Sequence, residues 1–191
     1  MNNKLIKATM IALAVTTQFS ACKKDENAPI PDEQELITTL KIQLSNSSKG
    51  FMKTFVYKVE NGFGSGSGGT IQIDTIKLEP GVSYDAIMSV QNEKAIPAED
   101  ITNEILEKDD EHLFVFDSTP SSGNGSVAVS DGSKDKNGAP LNQTFKLTTG
   151  GSGNGKFTIQ LMHLPTNKSG TTPATAGGET DLAVSFPVVI E

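Results

Sequence analysis

Thr149–Leu164 reads TGGSGNGKFTIQLMHL, and two incompatible structures compete for it. Gly150, Gly155 and Lys156 satisfy the phosphate-loop pattern G-x-x-x-x-G-K, but Phe157 stands where that pattern needs Ser or Thr to hold magnesium. A phosphate loop must also open a helix whose N-terminal amides face the phosphates. Here Phe157, Ile159 and Leu161 alternate with Thr158 and Gln160, the period of a half-buried strand. The stretch therefore reads as a hairpin loop leading into a strand, and no nucleotide is expected. Gly64–Gly69, GSGSGG, meets a second glycine pattern on paper, yet strand residues TIQI follow it and no βαβ unit surrounds it.

The same period of two recurs along the chain. Leu40, Ile42 and Leu44 alternate with polar neighbours, as do Phe55, Tyr57 and Val59. Further strands are expected over 70–78, 83–92, 111–117, 125–130, 143–148 and 180–191. Within 70–78, Ile71 and Ile73 are out of phase with Ile76 and Leu78, which suggests a bulge near Asp74. Polar, glycine-rich connectors separate the runs at 61–69, 118–124, 131–142 and 166–178. About nine short strands spaced this way predict an all-β fold, an antiparallel immunoglobulin-like β-sandwich, with an up-and-down β-barrel as the alternative. One segment differs. Pro97–Glu107 puts proline and acidic residues before Ile101 and Ile105, four apart, and predicts one short helix crossing an end of the sandwich.

Hydrophobic residues make up 36% of the 191 and charged residues 20%, enough for one ordinary core. The N-terminus carries a different message. Lys4 and Lys7 precede the apolar run Ala8–Val15, the layout of a secretory signal peptide, and the run falls well short of the ~20 residues that span a bilayer. Phe19-Ser20-Ala21-Cys22 resembles the bacterial lipobox, in which the cysteine is lipidated and becomes the new N-terminus. Phe19 departs from the usual Leu. The single cysteine excludes an internal disulfide, and acyl chains at ~0.8 kcal/mol per buried methylene would hold a domain on a membrane. Lys23-Lys24-Asp25-Glu26 resembles the lysine-then-acidic export tag of many Bacteroidetes-type surface lipoproteins. The organisation expected is a signal peptide over 1–21, a lipidated, proline-containing tether over 22–35, and a single β-sandwich domain over 36–191.

Loss of Lys4 and Lys7 leaves 14 of the 16 basic residues against 23 acidic ones, a mature charge of −9. The chain contains no arginine, the usual instrument of phosphate and base-edge recognition, and nucleic acid is not an expected partner.

Three constellations have chemical potential. Asp131, Asp135 and Asn137 place oxygen side chains in a loop with a glycine at Gly138, as a calcium site would, although Ser133 and Thr144 occupy positions where an EF-hand has acidic ligands. The bland reading is a strand connection turned by Asn137-Gly138. His112 is in phase with Phe114 and Phe116, and His163 with Phe157, Ile159 and Leu161, so each ends a core-facing row near the rim. With Glu179 and Asp181 they form a candidate zinc or copper set. A histidine ending a strand also serves simply as a hydrogen-bonded packing residue. For catalysis the sequence offers neither G-x-S-x-G nor H-E-x-x-H, and a non-enzymatic protein is expected.

Ordered motifs carry a resemblance over most of the mature chain: Glu35–Leu40, Pro97–Thr102, Asp109–Phe116, Asp135–Leu141, Leu147–Gly150, Leu161–Pro165 and Gly177–Asp181 leading to Phe186-Pro187-Val188. They are similar to an uncharacterised family of small Bacteroidetes-type surface or periplasmic lipoproteins, often labelled type 1 periplasmic binding fold proteins. That label denotes two α/β lobes with parallel sheets, whereas these residues spell strands and one helix. The resemblance implies a lipid-anchored envelope protein on the outer membrane, facing outward or towards the periplasm, and it carries over no catalytic residue. Together these readings lead to the expectation of a binding module for a small ligand, metal ion or envelope partner. A structural or adhesive surface protein without a small ligand is the alternative.

Overall fold

Phe157, Ile159 and Leu161 are at most 1% exposed, on the inward face of a strand that runs from Gly153 to His163. The structure is a computed structural model that describes residues 36–63 and 69–191, all within one compact unit. The expected signal peptide, Cys22, the expected tether and most of the Gly64–Gly69 stretch lie outside the described residues.

In chain order the elements are β1 (Thr39–Asn46), β2 (Phe51–Val59), β3 (Thr70–Ile73), β4 (Ile76–Leu78), β5 (Ser83–Asn92) and β6 (Glu99–Asp100). There follow α1 (Ile101–Glu107), β7 (His112–Gly123), β8 (Val127–Ser130), β9 (Thr144–Thr149), β10 (Gly153–His163), α2 (Pro173–Ala176) and β11 (Glu179–Ile190). One sheet has the order β3-β2-β1-β5-β9-β8, with β6 added to β5, and the other the order β4-β11-β10-β7. Both remain open, so the architecture is the sandwich and not the barrel. All these strand pairs are antiparallel except β4 with β11. Without β2, β3 and β6, the strands reduce to β1-β5-β9-β8 facing β4-β11-β10-β7. In chain order these are the A-B-E-D sheet and the C-F-G sheet of an immunoglobulin-like sandwich, with β4 as an added edge strand.

Alternation is what binds the layers together. Leu40, Ile42 and Leu44 of β1 and Tyr84, Ala86, Met88 and Val90 of β5 share one buried cluster with Phe157, Ile159 and Leu161 of β10 and Val184, Phe186 and Val188 of β11. Each large side chain buried there contributes ~1.5–3 kcal/mol. β7 starts with four consecutive buried residues because both of its faces are covered. Phe114 joins the main core, while Leu113 and Val115 meet Met162 and Ala176 in a second cluster. Ala176 belongs to α2, so the 164–178 connection folds back across the outer face of β7 and β10.

The expected helix exists but starts later than Pro97. Asp100 caps it by accepting from Thr102 N at 3.1 Å, and Ile101 and Ile105 enter the core. α2 lies in a segment that composition marks as a polar connector; a Thr172–Thr175 capping box and Pro173 in its first turn create it. Two expectations on connectivity are corrected. The phase break at Asp74 is a change of sheet: β3 pairs with β2 and β4 with β11, so the chain crosses at Asp74-Thr75, and the register shift of this stretch lies earlier, at Ile71 opposite Lys58-Val59. The loop after Thr149 is no hairpin, since β9 pairs with β5 and β8 whereas β10 pairs with β7 and β11. Alternation reports that a strand is half buried and is silent on which sheet owns it.

Candidate functional site

β7 and β8 are the edge strands on one flank of the sandwich, and β7 is tied across to the other sheet's side at two points, once to the connector that precedes β9 and once to β8. Asn142 Nδ2 donates to Phe114 O at 2.9 Å, and Val127 N donates to Ser118 Oγ at 2.8 Å. Between these ties the sheets part, leaving a cleft of about 340 Å³. Its floor is apolar, with Phe116, Val127, Val129 and Phe157. Phe116 is held at 4.5 Å from Phe145 and 5.7 Å from Phe157, centroid to centroid, and remains half-buried. The rim is polar, with Asp117 from β7, Ser130 and Asp131 from the end of β8, and Lys168, Ser169 and Thr171 from the connector before α2. Such a floor with a few polar groups at its mouth is the usual make-up of a small-molecule site.

The wall formed by residues 168–171 is secured through Lys168. Its Nζ donates to Asp109 O at 2.7 Å and to the His112 carbonyl, and lies 3.2 Å from Asp135 Oδ2. All three ammonium donors are engaged. Asp135 is 7% exposed and also accepts from the amides of Asn137 (2.9 Å) and Ala139 (2.8 Å). Burial opposes its ionisation and is the largest single influence. The Ala139 amide, Lys168 and the Asn137 amide jointly outweigh it and hold the carboxyl below its ordinary pKa.

The calcium-loop candidates separate around this turn. Asp135 points inward, whereas Asp131 and Asn137 are exposed. Asp135 N donates to Ala139 O and Gly138 N to Asp135 O, so the residues form a tight turn, with Gly138 at φ +83°. Asp131 itself sits at φ +52° on the cleft rim.

The two histidines do meet. His112 and His163 are direct cross-strand partners, and their rings stack with centroids 5.1 Å apart and planes within 9°. His163 is also opposite Glu179 on β11, and Asp181, 9% exposed, is close enough to influence His112 electrostatically. His112 is 4% exposed and its Nδ1 lies 3.0 Å from Lys108 O; a carbonyl only accepts, so Nδ1 carries the proton. Burial pushes the His112 pKa down, against the raising effect of the Lys108 carbonyl, and the neighbouring His163 lowers it further. Among the described residues no three His, Cys, Asp or Glu side chains gather as a metal-ligand set. The geometry realised is a stacked pair of rings, His112 buried and His163 half-buried.

Sequence reasoning missed the cleft. Its lining comes from β7, β8, β10 and two connectors, and the nearest signal was the aromatic run Leu113–Phe116. Among the described residues no helix is long and apolar enough to cross a membrane. No protein-family model, curated protein or solved structure matches the chain.

Proposed function

We propose that this chain is a lipid-anchored cell-envelope protein whose sandwich is a non-enzymatic binding module, with the ligand seated between β7 and β8. The cleft carries this reading: it is concave, its floor is aromatic and aliphatic, and its polar groups stand at the mouth. The lipobox-like Phe19–Cys22, the short apolar run before it and the acidic, proline-containing tether after it support anchoring by lipid at an outer-membrane surface.

Native mass spectrometry of the full-length protein extracted from its own membranes, with metal analysis of the same sample, tests the proposal. A small organic mass should accompany the wild-type chain and be absent from Ser130→Phe, which places a ring at the cleft mouth from an exposed edge-strand position. Bound zinc, copper or calcium with no organic mass would refute the cleft assignment. An empty wild-type chain that co-purifies with an envelope protein would replace it with the structural, adhesive reading.

A further inference from the structure

We infer that the cleft is built for a small organic cation, an amine on an aromatic or aliphatic body; this rests on reading the cleft as a ligand site. The charges lining it are Asp117, Asp131 and Lys168. Lys168 is already neutralised, because its ammonium is divided among Asp135 and two main-chain carbonyls. The two carboxylates are not. Asp117 accepts from the Thr119 hydroxyl at 2.8 Å, and neither aspartate is ion-paired with a lysine among the described residues. Lys146, which is near enough to feel Asp131, is held 2.8 Å from Asp85. The cleft mouth is thus left with two uncompensated negative charges, on a chain whose net charge is −7.

An anionic ligand would enter against that field and find no free cation. A neutral one would leave both carboxylates unused. An ammonium is attracted at the mouth, can donate to the carboxylates and to the Ser130 and Thr171 hydroxyls, and trails a body that fits over the half-exposed ring of Phe116. That ring also offers a π face to a cation. The 340 Å³ available lies at the lower end of small-molecule sites, about 300–1,000 Å³, which limits the occupant to a compact molecule.

The chain has no tryptophan, so an indole probe can be followed by its own fluorescence anisotropy against the full-length protein. Tryptamine, 3-ethylindole and indole-3-propionate share one ring and carry a positive, zero and negative charge. The expected order of affinity is tryptamine, then 3-ethylindole, then indole-3-propionate, with all binding lost in Ser130→Phe. Asp117→Asn and Asp131→Asn should each weaken tryptamine by about two- to fivefold while leaving 3-ethylindole unchanged, the effect of one exposed charge pair. Asn is well suited to the positive φ of Asp131, so that variant should fold. Equal or tighter binding of the neutral or anionic probe would overturn the cation assignment and leave the cleft as a ligand site. If no probe shows anisotropy that Ser130→Phe abolishes, the ligand-site reading falls and takes this inference with it.

Discussion

Replacing Lys168 with methionine keeps most of the side-chain volume and removes the ammonium from three acceptors at once. Two of these are main-chain carbonyls, Asp109 in the turn before β7 and His112 at its first residue, and the third is Asp135, whose side chain is 2% exposed. Removing one partner of a buried ion pair costs about 3–5 kcal/mol. Lys168 retains 15% exposure and Asp135 keeps two amide donors, which reduces the expected loss to about 2–3 kcal/mol. The assay is urea unfolding at neutral pH, where the midpoint should fall with an unchanged slope. Asp135→Asn removes the charge while retaining an acceptor for the amides, and should cost about 1–2 kcal/mol. In the double variant the losses should be less than additive by about 1 kcal/mol or more, since each single change already breaks the one ion pair and strands the other member. Acid adds a second test. The Asp135 pKa is depressed in the folded state, so its contribution is full above the unfolded value of about 3.9 and is lost as pH falls through the folded value. Asp135→Asn should therefore flatten the acid limb of the stability profile. A Lys168→Met protein within about 0.5 kcal/mol of wild type would refute the claim that this lysine secures the cleft wall.

His112 shifts stability with pH in the same direction, here because burial favours its neutral ring. Its folded pKa lies below the ordinary histidine value, so the unfolded chain binds more protons between the two, and stability should fall as pH drops below about 6.5, by at most ~1.4 kcal/mol per unit. His112→Gln should remove that slope in urea titrations, and an unchanged slope would exclude the buried ring as its source. Gly155 matches the phosphate-loop pattern but serves the packing of strands: a Cβ there would lie 2.2 Å from Gly125 O. Gly155→Ala should cost about 1–3 kcal/mol by thermal unfolding, and MgATP should not raise the melting temperature of either protein. Cys22→Ser should shift the chain from the membrane fraction to the soluble fraction of its native cells, and continued tight membrane association would rule out the lipid anchor.

The strands and the core were legible locally because both depend on neighbours two residues apart. Leu40-Ile42-Leu44 and Phe157-Ile159-Leu161 bury the same face whatever they pair with, and the Asp100–Ile105 segment carries its own cap and apolar stripe. Even the phase break at Asp74 was visible, although its cause was a change of sheet. Pairing is another matter, because hydrogen bonds between strands join residues far apart in the chain and leave no local trace. Register alone stacked His112 on His163, and the sheet assignment of β9 and β10 made the glycine loop a crossover. The cleft belongs wholly to that second category. It exists because β7 and β8 end up as edges of opposing sheets, with β7 tied to Asn142 at Phe114 and to β8 at Ser118 and the sheets parted between, while Lys168 draws a distant connector against its side. The sequence by itself determined a half-buried β-chain. Where that chain leaves room for a ligand was decided by tertiary structure, since a cavity is what remains between elements that the sequence lists apart.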